Sequence, residues 1–127
     1  MATKGTVLLI DDDPDFSEVV RTALQGDGFQ VLTAADGEQG LALMRKHKPD
    51  LVFLDIIMVV PTEGVYVSDV MMEDPELRDI PVVMVSSIAD SPYAAQFPQD
   101  RYLHTKEFLH KPVSIAKLLE IANRYAA

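Results

Sequence analysis

The chain has 127 residues, 48% of them hydrophobic, which suits one domain with a real core over residues 1–127. A formal net charge of -9, from 20 acidic against 11 basic residues, argues against phosphate-backbone binding, so no direct nucleic-acid partner is expected. Without cysteine there is no disulfide or thiolate chemistry, and the four apolar residues after Thr6 are too few for a signal peptide or membrane span, so a cytoplasmic protein is expected.

Val7-Leu8-Leu9-Ile10 reads as a strand buried on both faces, ending on Asp11-Asp12-Asp13-Pro14. Phe16, Val19, Val20, Ala23 and Leu24 then recur at the spacing of one helical face, with Asp13 as N-cap, Pro14 at the first helical position, and Gly26 and Gly28 at the close. Phe29 to Ala34 predicts a second strand. Asp36 with Gln39 resembles a capping box for a helix carrying Leu41, Ala42 and Met44, with Lys46, His47 and Lys48 at its negative end. Leu51-Val52-Phe53-Leu54 is a third apolar run, closed by Asp55. An apolar loop is expected from Ile56 to Gly64, then a helix around Val65 to Met72 whose β-branched residues need tertiary support. Ile80 to Val85 predicts a fourth strand, bounded by Ser86-Ser87. From Ile88 to Glu107 the pattern is irregular: Pro92 and Pro98 forbid a long helix, leaving a short one and a long loop. Phe108 to His110 reads as a brief last strand before Lys111-Pro112, and Ile115, Leu118, Leu119, Ala122 and Tyr125 mark a closing amphipathic helix.

Strands alternating with helices imply a parallel α/β sheet with helices on both faces. Ligands bind outside the carboxyl ends of such strands. Asp11 to Asp13, Asp55, Ser86 and Lys111 would all project from that edge. Clustered carboxylates repel one another unless a cation neutralises them. Oxygen ligands without neighbouring His or Cys suit magnesium, which also binds phosphate, while Lys111 and Ser86 could hold an anion. Together they describe a phosphoryl-transfer site, with Asp13 read as a helix cap and not as a ligand. His47, His104 and His110 have no metal spacing, and the methionines read as core and loop filling.

These four motifs, in this order, resemble the response-regulator receiver family of two-component signalling over nearly the whole chain. The resemblance implies a doubly wound, flavodoxin-like (β/α)5 fold with five parallel strands in the order 2-1-3-4-5. By the same likeness Asp11 and Asp12 hold Mg2+ together with Asp55 and the main-chain carbonyl of Ile57, and Asp55 accepts a phosphoryl group. Ser86 and Lys111 match the residues that bind that group, Ser86 and Phe108 match a conformational switch, and the Lys111-Pro112 peptide matches one that is cis in the family. The implied donor is a histidine kinase or phosphotransfer protein. The implied output is docking on another protein, or a relay, with no enzyme turnover beyond self-catalysed phosphoryl transfer and slow autodephosphorylation.

Two stretches depart from the family pattern. Val59 stands four residues after Asp55, where a proline is common, and Pro61 comes two later, so the loop is about one residue longer. Ile57 and Ile88, which flank the route of an attacking water by likeness, cannot polarise it, which predicts slow phosphate loss. The irregular 88–107 segment points to an unusual partner, a homodimer, or a segment ordered by phosphorylation, with tolerated loop variation as the plain alternative. Two other functions fit parts of the sequence. One is a pseudo-receiver acting as a phosphorylation-independent binding module; the other is a haloacid-dehalogenase-type phosphatase with Asp11 as nucleophile.

Overall fold

Residues 7–10 and 51–54 contain no polar side chain because neither face of their strands meets water. In the computed structural model, which describes residues 4–55, 63–86, 105–110 and 113–127, they form β1 (Thr6–Ile10) and β3 (Leu51–Asp55). With β2 (Gln30–Ala34), β4 (Val82–Ser86) and β5 (Thr105–His110) they build one parallel sheet of five strands, in the order β2-β1-β3-β4-β5. This is the α/β fold and strand order that the resemblance implied.

Successive side chains of a strand point to opposite faces, and the core divides accordingly. Leu8, Ile10, Val52, Leu54, Val82 and Met84 pack with Leu41 and Met44 of α2 (Gly37–His47) and Val67 and Met71 of α3 (Glu63–Glu73). Val7, Leu9, Leu51, Phe53, Val83 and Val85 pack on the other side with Val20 and Leu24 of α1 (Pro14–Gly26) and Leu118, Ile121 and Ala122 of α4 (Ile115–Ala126). Each fully buried Leu, Val or Phe contributes roughly 1.5–3 kcal/mol, so these two layers supply the main stabilising term.

The helix ends follow the local sequence. Asp13 caps α1, its carboxylate accepting from Asp15 N at 3.0 Å and Phe16 N at 3.3 Å, with Pro14 next. Asp36 caps α2 by accepting from Gln39 N at 2.8 Å. The return half of the expected box differs, because Gln39 Nε2 donates to the Asp36 carboxylate at 3.2 Å, whereas a capping box has that side chain accept from the Asp36 N–H. At the other end of α2, Lys48 takes the left-handed conformation at φ 49, its N–H bonded to Met44 O and its Nζ to Arg45 O. Those two bonds offset the cost of that backbone for a residue with a Cβ.

Three boundaries differ from expectation by two residues or more. Of the loop expected over 56–64, residues 56–62 lie outside the described residues, and Glu63 and Gly64 open α3, where an acid suits the positive end of the helix. β4 starts at Val82 because Ile80 N–H is spent in a turn on Leu77 O and Pro81 has no N–H, although Pro81 O still accepts from Val52 N at 3.0 Å. Of the irregular segment expected over 88–107, residues 88–104 lie outside the described residues, while Thr105, Lys106 and Glu107 are strand. Pairing with β4 overrides their weak propensity, and the register shifts between Val82 and Val83 so that Val82 faces Thr105 and Val83 faces Glu107. Charged residues are tolerated there because β5 is a sheet edge.

Candidate functional site

The run Asp11-Asp12-Asp13 leaves β1 and enters α1, and the fold puts its three acids in three environments. Asp11 donates its N–H to Ala34 O at 3.0 Å, extending the pairing of β1 with β2 by one residue. Its side chain is buried, 3% exposed, the one polar or charged residue in the core among the described residues. One of its oxygens, Oδ1, accepts from Asp13 N at 2.9 Å, which fixes the carboxylate's direction. Asp12 is exposed beside it. Asp13 is occupied as the α1 cap, so an Asp-x-Asp reading with Asp13 as partner acid loses its second carboxylate to the helix.

Register places the other strand-end residues. Ile10 pairs with Leu54, so Asp11 and Asp55, each one residue farther on, stand level at the ends of adjacent strands. Asp55 in turn pairs with Val85, and Ser86 with His110. Asp11, Asp55 and Ser86 thus share the carboxyl edge of β1, β3 and β4, at the point where the strand order reverses around β1. Phe108 pairs with Met84 within β5, two residues before that edge. Lys111 follows His110 in sequence and, like Ile57 and Ile88, lies outside the described residues.

A cleft of about 280 Å³ opens beside the acidic pair, lined by Asp11, Asp12, Ser17, Glu18, Arg21 and Thr33 among others. Arg21 is its one cation among the described residues, and it is engaged: Nε and Nη2 both donate to Glu18 Oε2, the former at 3.1 Å. That hydrogen bond, and then the Glu18 charge, raise the guanidinium pKa above its ordinary value. The Glu18 to Arg21 spacing of a helical ion pair is readable in sequence. Its place in the same cleft as the acids is not, because that depends on how α1 packs beside the end of β2.

A family model described as the response regulator receiver domain matches residues 7–123. The chain is 35% identical over 85 residues to the DNA-binding response regulator MtrA of Mycolicibacterium smegmatis, covering 67% of this chain and 36% of that protein. It is 26% identical over 120 residues to the polar-differentiation response regulator DivK of Brucella anthropi, covering 94% of each. The chain therefore spans about a third of the first relative and nearly all of the second. Among solved structures, the chemotaxis response regulator CheY4 of Vibrio cholerae superposes with a TM-score of 0.81 at 28% identity, over 96% of this chain and 98% of that one.

Proposed function

The chain belongs to the response regulator receiver domain family of two-component signalling, and from that premise we propose that it is a phosphoacceptor switch with Asp55 as the acceptor. The observation that carries this reading is the register that sets Asp55 level with buried Asp11 at the ends of adjacent parallel strands. An Asp55 oxygen attacks the phosphorus of a phosphohistidine; the phosphorus–nitrogen bond breaks, the imidazole leaves with the electron pair, and an acyl phosphate forms on Asp55. Ser86 and Lys111 hold the phosphoryl oxygens, and Ser86 with Phe108 passes the change to the surface. Slow hydrolysis of the acyl phosphate, and no turnover of a separate substrate, completes the cycle.

The donor set fits a hard divalent ion. Asp11 and Asp12 stand side by side with carboxylate oxygens, no imidazole lines the cleft among the described residues, and the chain has no cysteine. Among the described residues no group of three or more metal-ligating side chains is gathered, so Asp11 and Asp12 would act with Asp55 and the Ile57 carbonyl to hold Mg2+. When bound, the ion supplies positive charge that lets the carboxylates coexist and offsets charge on the transferring group. The donor is a histidine kinase or phosphotransfer protein, and output is by docking on another protein in the cytoplasm. No helix among the described residues is long and apolar enough to cross a membrane.

Incubation with acetyl phosphate and Mg2+, followed by intact mass, tests the proposal. A gain of one phosphoryl group that Asp55→Asn abolishes is the expected result. No gain in the parent chain would favour the binding-module reading, and a gain that survives Asp55→Asn would remove Asp55 from its role.

A further inference from the structure

The buried acid of the pair stands next in sequence to a close approach between sheet and helix. α2 begins three residues after Ala34, the residue whose carbonyl receives the Asp11 N–H, and its first turn lies against the end of β1. Two glycines, Gly37 and Gly40, are buried in that turn. A Cβ built on Gly40 would overlap Ile10 Cδ1 and lie 2.7 Å from its Cγ1 and 3.5 Å from its Cγ2. Ile10 is fully buried, 0% exposed, and packed in the layer shared with α2 and α3, so any shift of its side chain is made against other buried side chains. It is also the residue directly before Asp11.

We propose that Gly40 is a positioning residue for the divalent-cation site: the missing side chain lets α2 seat on Ile10, and that seat holds Asp11 where its carboxylate can serve. The inference rests on the reading of Asp11 and Asp12 as cation ligands. Among the contacts that fix Asp11 are its N–H on Ala34 O, its Oδ1 on Asp13 N–H, and Ile10 pressed beneath Gly40. Only the third runs through a side chain that a single methyl group would displace. Alanine is ordinarily the better helix residue, so helix propensity alone predicts a gain from Gly40→Ala. The crowding against Ile10 predicts a loss, and the loss falls on the acid next in sequence.

The test is binding of Mn2+, a paramagnetic stand-in for Mg2+, titrated by electron paramagnetic resonance well below the unfolding temperature, with folding checked by circular dichroism. The parent chain should bind, and Gly40→Ala should bind about tenfold more weakly, the low end for loss of outer support at a metal site. Gly26→Ala, whose added Cβ meets nothing within 4 Å, should bind like the parent. Ile10→Ala deletes Cδ1, Cγ1 and Cγ2, so in that background Gly40→Ala should leave Mn2+ affinity unchanged: the double variant Ile10→Ala/Gly40→Ala should bind as Ile10→Ala does. In acetyl phosphate labelling the Mg2+ concentration for half-maximal rate should rise in Gly40→Ala, while the rate at saturating Mg2+ stays near that of the parent. Equal Mn2+ affinity in the parent and Gly40→Ala overturns the inference and leaves the acidic pair as ligands. Absence of Mn2+ binding in the parent overturns both. If Gly40→Ala alone does not fold, the comparison is made in the Ile10→Ala background, and a further loss of Mn2+ affinity on adding Gly40→Ala there overturns the inference.

Discussion

Asp11, Asp12 and Asp13 are one side chain put to three uses, and what separates them is the backbone around each. Asp13 is held by two N–H groups of the first turn of α1, so Asp13→Ala should cost about 1 kcal/mol of stability in urea unfolding. Mn2+ affinity should be retained in the same variant, which separates cap from ligand. A different residue-scale constraint operates at Gly5. Its N–H bonds Ala126 O at 2.6 Å, and an added Cβ would overlap that carbonyl oxygen and come 2.5 Å from Asp50 Oδ2. Backbone cannot yield as a side-chain tip can, so Gly5→Ala should lower stability by about 1–3 kcal/mol, read from the denaturation midpoint.

At the scale of elements, the helices are held by the faces they bury and hardly at all by their exposed charge pairs. α4 carries both kinds of residue: Leu118 is 2% exposed against the sheet, while Glu120 accepts from Arg124 on the solvent side. Leu118→Ala should therefore cost about 2–5 kcal/mol, whereas Glu120→Ala should cost no more than about 0.5 kcal/mol. Parallel urea titrations compare them. The same contrast explains α3, whose β-branched residues are poor helix formers. It stands because Val67 and Met71, one turn apart, are both buried against β-strand side chains of the α2 layer.

Over the whole molecule, the edge opposite the acids is closed by a network joining residues far apart in sequence. Lys4 Nζ bonds Asp27 Oδ2 at 3.1 Å and Asn123 Oδ1 at 2.6 Å, and Asn123 Nδ2 bonds Asp27 Oδ2 at 2.8 Å. The Asn123 hydrogen bond, then that from Lys4, hold the Asp27 carboxyl below its ordinary value. The folded protein thus takes up this proton less readily than the unfolded chain. The stabilisation is complete above the unfolded carboxylate pKa of about 4, and it is lost as pH falls through the lower folded value. Asp27→Asn should accordingly be less stable than the parent near neutral pH, with the difference shrinking in acid. Because the pair is solvent-exposed the effect is small and should weaken with salt. Thermal unfolding across pH at two ionic strengths measures it.

The apolar runs of β1 and β3, the caps at Asp13 and Asp36 and the acids at strand ends were all legible in the sequence, since each follows from neighbours within a few residues. Period, capping and turn chemistry are local, and they report themselves locally. Strand order had to be borrowed from the family resemblance, for nothing in the periodicity of a strand names its neighbour. Lys106 and Glu107 look like loop, and only hydrogen bonding to β4 makes them strand. That Asp11 is buried while Asp12 is exposed, that Arg21 lines their cleft bound to Glu18, and that a Cβ on Gly40 would run into Ile10, are facts of packing. They depend on which residues, distant in the chain, come to occupy the same space, and only the tertiary structure decided that.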